Sequence, residues 1–133
     1  MPKWRKWQVI DSVYSNIGLL GKKGIYQIRM VDRENKPIPT PRLAGTDSEG
    51  IVYIGKSIRL RHRIEDFLGG RHSGGGTYFL VYRHLIRSDR FRNHSLQFRV
   101  LVCQEPELEI KEANMLRKFC ELPPFNSTVP GGK

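Results

Sequence analysis

Two short runs carry the clearest alternation in the chain, residues 24–28 (Gly-Ile-Tyr-Gln-Ile) and 52–56 (Val-Tyr-Ile-Gly-Lys). Both are rich in β-branched and aromatic residues and bounded by glycine or polar turn residues, which predicts two strands of one hairpin. A period of two puts Tyr26, Ile28 and Met30 on one face of the first strand, and Tyr53 with Ile51 on one face of the second. The two phenols can therefore point to the same side. A third strand is expected over 96–103, where Leu96, Phe98, Val100 and Val102 alternate. Helical spacing appears four times. Ile10, Val13, Tyr14 and Ile17 predict a short amphipathic helix before Gly18, and Leu60, Ile64, Phe67 and Leu68 predict one that Gly69-Gly70 stops. Thr77 can cap a helix through about Arg87, with Phe79, Tyr82, Leu85 and Ile86 inward. A last helix starts near Pro106, with Glu105, Glu107 and Glu109 complementing its dipole, and ends before Pro123-Pro124.

The stripe of that last helix, Leu108, Met115, Leu116 and Phe119, is interrupted by Glu112 where an apolar residue belongs. A carboxylate on a core-facing stripe is costly unless it is paired, hydrogen-bonded or bound to a metal. An ion pair with one of the many arginines and a metal ligand are both open readings. Between the first two strands runs a polar, proline-broken connection, residues 32–50, long enough to be unusual in a compact domain. Gly50 to Ser57 matches G-x-x-x-x-G-K-S letter for letter. The setting argues against a phosphate-binding loop, because the residues between the glycines are themselves the strand. The glycine-rich run 69–76 lets backbone approach a ligand closely, and with Arg71, His72 and Ser73 inside it a phosphate-contacting loop is expected.

Composition narrows the picture. At 133 residues and 38% hydrophobic content the chain builds one core and one domain. No run is long and apolar enough for a membrane span, and the N-terminus lacks a signal peptide's apolar middle, so a cytoplasmic protein without membrane contact is expected. Cys103 and Cys120 have no paired spacing, which points to reduced, packed thiols rather than a zinc site or disulfide framework. A net charge of +10 and a pI near 10.0 make a polyanion the natural partner. Arg59, Arg63, Arg83, Arg87 and Arg90 are candidates to track phosphates, although a solvated face is the usual meaning of charges such as Arg59 and Arg61 on a helix. Trp4 and Trp7, flanked by Lys3, Arg5 and Lys6, are read as closing the edge of a core before they are read as base-stacking residues.

Gly24-Ile25-Tyr26, then Tyr53-Ile54-Gly55, Lys56-Ser57, Leu60 and Arg63, Glu112 on a later helix, and Asn126 after Pro124-Phe125 together resemble the GIY-YIG nuclease superfamily. The resemblance spans residues 24–126, leaving 1–23 as an N-terminal extension and 127–133 as a tail of a single domain. It implies a small α/β (α+β) domain with a three-stranded antiparallel sheet flanked by helices, cutting DNA phosphodiester bonds with one Mg²⁺ or Mn²⁺. By position, Tyr26 would be the general base, Tyr53 would position water and phosphate, and Arg63 would steady developing negative charge. Glu112 would be the sole protein ligand of the metal and Asn126 a hydrogen-bonding brace. Lys56 would lower the neighbouring tyrosine's pKa or hold phosphate. Arg59, Arg71, His72, Ser73 and Arg83 are the DNA-contacting candidates, and residues 32–50 and 69–76 are the loops expected to read sequence. Two departures matter. Phe67 stands where many members carry His or Tyr, so Tyr26 acts alone or His62 or His72 supplies the missing group. The long connection between the tyrosine motifs and the glycine-rich run resemble the restriction-endonuclease branch. The alternatives are a nicking nuclease of repair or recombination and a non-catalytic nucleic-acid-binding module; monomer and homodimer both remain open.

Overall fold

The computed structural model describes residues 3–68, 95–104 and 107–118. Strand β1 is Gln8–Val9, β2 Gly24–Val31, β3 Thr40–Arg42, β4 Gly45–Asp47, β5 Ile51–Ser57 and β6 Ser95–Val102; helix α1 is Leu60–Leu68 and α2 Glu107–Arg117. The architecture is α+β, with an antiparallel sheet in the order β1-β6-β2-β5 and a separate β3-β4 ribbon. The three expected strands are present, β2 central between β5 and β6. The sheet nevertheless has four strands rather than three, because Gln8–Val9 pairs with Phe98 and Gln97 at its far edge. The N-terminal segment is thus part of the sheet and not an appendage. Trp4 also bridges Leu101, and the Arg5 N–H reaches the Val100 carbonyl at 2.9 Å.

Both faces of the sheet are covered. On one, Tyr26, Ile28, Val52, Tyr53, Leu96, Phe98 and Val100 pack with Ile10, Val13 and Leu19 and with Leu60 and Ile64 of α1. On the other, Ile25, Ile51, Ile54 and Leu101 pack with Leu108 and Leu116 of α2, and Trp4, Trp7 and Met115 close the edge. The tryptophans do seal a core. Their rings also carry guanidinium groups, Arg29 at 4.2 Å from the Trp7 centroid and Arg99 at 4.5 Å from both.

Three local expectations are corrected. Ile51 does not share a face with Tyr53: Ile28 pairs with Tyr53 but Arg29 with Ile51, so Val52 is an extra residue in a β-bulge. The bulge sends Val52 and Tyr53 to one core and Ile51 and Ile54 to the other. The segment from Ile10 is not an α-helix but two 3₁₀ turns, Ile10–Ser15 and Ile17–Leu19. With three residues per turn, Ile10 and Val13 stay inward while Tyr14 and Ile17 face out. The connection 32–50 is not one loop, since it folds into the β3-β4 ribbon held by backbone bonds from Ile38 N–H to Met30 O and Met30 N–H to Gly50 O. The nucleotide-loop match fails as expected: Ile51–Ser57 is a strand and its first five residues are buried.

The helix expected over 77–87, the glycine-rich run 69–76, Cys120 and Asn126 lie outside the described residues. Among the described residues no helix is long and apolar enough to cross a membrane.

Candidate active site

The β2-β5 register builds the centre. Tyr26 lies opposite Gly55 and Tyr53 opposite Ile28, so both phenols rise from the same face of adjacent strands. Their rings stack with centroids 5.8 Å apart and planes inclined at 28°. Two glycines make this possible. A Cβ on Gly24 would fall 2.0 Å from the Leu101 carbonyl oxygen, and one on Gly55 would fall 2.6 Å from the Tyr26 phenol oxygen. The Tyr26 ring lies in the space a side chain at 55 would fill.

The phenols are buried, 0% and 1% exposed, and hydrogen-bonded to each other. The bond raises the pKa of Tyr26 and lowers that of Tyr53. Burial is the larger influence on each. It lifts Tyr26 well above the ordinary phenol value and Tyr53 to about 12. Arg63 lowers and Glu112 raises both, so the two charged side chains act on one phenol pair from α1 and α2.

Helix α1 holds Arg63 by burying its neighbours in sequence pattern, Leu60 and Ile64. Its first turn is tied down by the Leu60 N–H to Lys22 O bond at 3.0 Å and by Ser57 Oγ, which accepts the Arg59 N–H at 2.9 Å. The Arg63 Nε is buried without a hydrogen-bond partner among the described residues. Helix α2 presents Leu108, Glu112 and Leu116 on one stripe, all buried. Glu112 is 0% exposed, and neither carboxylate oxygen has a hydrogen-bond partner among the described residues. Burial pushes its pKa up to about 7, Glu109 adds to the rise and Lys56 opposes it. Of the two readings left open for Glu112, the arginine ion pair is not made among the described residues.

Of the sequence candidates, Tyr26 and Tyr53 are in ring contact, and the charges of Arg63 and Glu112 act on both phenols. Lys56 stands differently from its expected place. It follows Ile54 onto the α2 side, pairs with Glu109 Oε1 at 3.1 Å, and its charge acts on Glu112 instead of the phenols. Arg59 is exposed and lines a cleft with Leu20, Arg61 and Glu65 on the flank of α1 that faces the 3₁₀ turns. His62 shares that flank and meets Asp66 at 3.4 Å. Asn126, Arg71, His72, Ser73 and Arg83 lie outside the described residues. Glu109 was not anticipated beyond its helix-dipole role; its i, i+3 spacing from Glu112 is the signal that places it beside the site.

Ionised, the Glu112 carboxylate has two oxygens with which it could hold a hard cation, which would keep its remaining positions for water and substrate oxygens, while no group of three or more His, Cys, Asp or Glu that could hold a metal ion occurs among the described residues. Comparison with protein-family models, with curated proteins and with solved structures gives no match, so the functional reading rests on the geometry of these residues.

Proposed function

We propose that the chain is a metal-dependent DNA endonuclease of GIY-YIG type, restriction-like, that hydrolyses phosphodiester bonds with Mg²⁺ or Mn²⁺. The observation that carries this reading is the unpartnered Glu112 carboxylate acting, together with Arg63, on the hydrogen-bonded Tyr26-Tyr53 pair. The net charge of +10 supports a DNA partner. In the reaction water adds to phosphorus as the bond to one ester oxygen breaks, and that oxygen leaves with a proton. A divalent ion, when bound, supplies Lewis-acid stabilisation of the phosphate and leaving oxygen. Glu112, ionised, is the residue that would hold it. Arg63 offers a buried, uncommitted N–H to the charge that develops on the phosphate. Tyr26 and Tyr53 hold protons at neutral pH, since burial has raised both. A phenol in that state is a poor base. Its work is to orient the attacking water through its oxygen, with Tyr53 fixing the position of Tyr26.

Supercoiled plasmid incubated with Mg²⁺ or Mn²⁺ is expected to be nicked or linearised, and the activity to disappear in EDTA and in Glu112→Ala. Cutting that survives both would remove the metal assignment. The raised phenol pKa values, together with Phe67 at the usual His or Tyr position, favour a second reading, a nucleic-acid-binding module without catalysis. That module binds DNA without cleaving it under any metal, so the same plasmid assay separates the two. The product ends separate restriction-like cutting from the nicking expected of a repair or recombination enzyme.

A further inference from the structure

A cleft of about 190 Å³ opens on the face of the sheet opposite the tyrosines, between Trp4, the strand residues Gln27, Ile54 and Arg99, Glu49 at the end of the ribbon, and Met115 and Lys118 of the α2 end. Its hydrogen-bonding groups are poorly matched to one another. Gln27 is 6% exposed; its Oε1 accepts from Arg99 Nε at 2.8 Å, but among the described residues its Nε2 donates only to the Met115 sulfur at 3.7 Å. A thioether is a weak acceptor, so a buried amide donor is left close to unsatisfied beside the cleft. The Glu49 carboxylate is 45% exposed and meets Arg99 Nη2 only at a long 3.4 Å. Trp4 gives a flat wall, with the Arg99 guanidinium 4.5 Å from its ring centroid.

A complementary occupant is flat, accepts hydrogen bonds from Gln27 and Arg99, and donates to Glu49. We propose that the cleft binds one unstacked guanine base. Guanine places two adjacent donors, N1–H and the N2 amino group, where a carboxylate takes both, and its O6 and N7 accept from an amide and a guanidinium. Cytosine offers a single donor group, adenine lacks the adjacent donor pair, and thymine flanks its one N–H with carbonyls. Burial lowers the pKa of both Arg29 and Arg99, the charge of Arg99 adds to the fall at Arg29, and Glu49 opposes both, so two guanidiniums share one carboxylate and the face is left electropositive enough to draw a strand in. The inference deepens the nuclease reading and takes its biological meaning from it. Strand β5 sends Tyr53 to one face and Ile54 to the other, and α2 carries Glu112 and, one turn on, Met115. Both elements thus border the cleft as well as the tyrosine site, and the Gln27, Glu49 and Arg99 side chains set the base preference.

The test titrates the full chain with dGMP, dAMP, dCMP, dTMP and inorganic phosphate, read by tryptophan fluorescence and by calorimetry. Saturable dGMP binding is expected, at least about tenfold tighter than the other nucleotides, the discrimination a bidentate base contact supplies. Glu49→Gln is expected to lose about tenfold or more in dGMP affinity while keeping its circular dichroism and melting temperature. Glu34→Gln, an exposed acid of the turn after β2 paired with Lys36, is the control and keeps full affinity. No saturable dGMP binding, equal binding of all four nucleotides, phosphate alone matching dGMP, or full affinity in Glu49→Gln each overturns the proposal. Plasmid cutting is scored separately: dGMP binding without cutting removes the nuclease reading alone, and cutting without dGMP binding removes the guanine site alone.

Discussion

Asp47 and Glu112 are buried carboxylates, 3% and 0% exposed, and the protein treats them in opposite ways. Asp47 closes the turn between β4 and β5: its Oδ1 accepts the Glu49 N–H at 2.9 Å, its Oδ2 the Ile51 N–H at 3.1 Å, and Arg42 stands 4.0 Å away. Every oxygen is used, so its burial is offset locally and its role is to shape the chain. Glu112 sits on an apolar stripe with neither oxygen partnered among the described residues and its pKa pushed up to about 7. A buried acid that the fold leaves unsatisfied is a stability cost, and sites of chemistry are where such costs collect. The contrast separates a structural acid from a candidate ligand without reference to any relative.

Arg63 and Arg42 extend the same contrast to cations. Arg63 has a buried Nε without a hydrogen-bond partner among the described residues, and its charge acts on the phenols, whereas Arg42 is engaged beside Asp47. Arg63→Ala is expected to lower the plasmid-cutting rate about 10²- to 10³-fold, the effect of removing one preorganised donor to developing charge. Its melting temperature should stay close to that of the parent. Near-normal turnover in Arg63→Ala would place this arginine outside the chemistry.

The sharpest test is thermodynamic. The raised pKa of Glu112 means that its neutral form is the one the fold prefers. Below its ordinary value near 4.5 it costs nothing; the cost grows as pH rises to about 7 and is constant above. Fully developed, it amounts to roughly 3 kcal/mol. Glu112→Gln is therefore expected to stabilise the metal-free protein by about 2–3 kcal/mol at about pH 8, and to change little at about pH 4. The reverse is expected for Asp47→Asn, a loss of about 1–3 kcal/mol, because an amide nitrogen would face a backbone N–H. Urea unfolding of the two variants across pH checks both. Mg²⁺ should raise the melting temperature of the parent at about pH 8, and not that of Glu112→Gln, since only a state that binds the ion is stabilised by it.

Much of this was legible in the sequence because it is local. The alternation of Gly24-Ile25-Tyr26 and Val52-Tyr53-Ile54 gave the paired phenols, and the i, i+4, i+8 placing of Leu108, Glu112 and Leu116 gave the misplaced acid. What local pattern does not contain is partner choice. The bulge at Val52 arises from pairing with Arg29, the strand at Gln8–Val9 from pairing with Phe98, and the Lys56-Glu109 ion pair from α2 lying over β5. Nothing in the local pattern marks the polar residues Gln27, Glu49 and Arg99. They become a cleft only when the ribbon, three strands and the end of α2 are brought together.

Gly55 links the tyrosine pair to the packing around it. A methyl group at 55 would lie 2.6 Å from the Tyr26 oxygen, and the buried ring has no free space into which to retreat. Gly55→Ala is expected to cost about 1–3 kcal/mol of stability, as overpacking a core does, and to break the phenol-phenol hydrogen bond. Tyrosine fluorescence and a urea melt would show both. An Ala variant as stable as the parent would mean that the phenol is not held where the register places it.

The smallest effect concerns Lys56, and it tests whether Glu112 is tuned or merely stranded. The Lys56-Glu109 pair is half in water, with Glu109 78% exposed on its side chain, so breaking it should change stability by no more than about 1 kcal/mol. Lys56 nevertheless lowers the pKa of Glu112, while the like charge of Glu109 raises it. Lys56→Gln removes the favourable term and frees Glu109 to repel. The pH at which Glu112 ionises should then move upward, and with it the pH at which Mg²⁺ begins to stabilise the protein. Glu109→Gln should move both the other way. Following the Mg²⁺-induced change in melting temperature against pH for the two variants measures that pair of opposite shifts. Identical profiles would mean that Glu112 is set by burial alone, with neither neighbour acting on it.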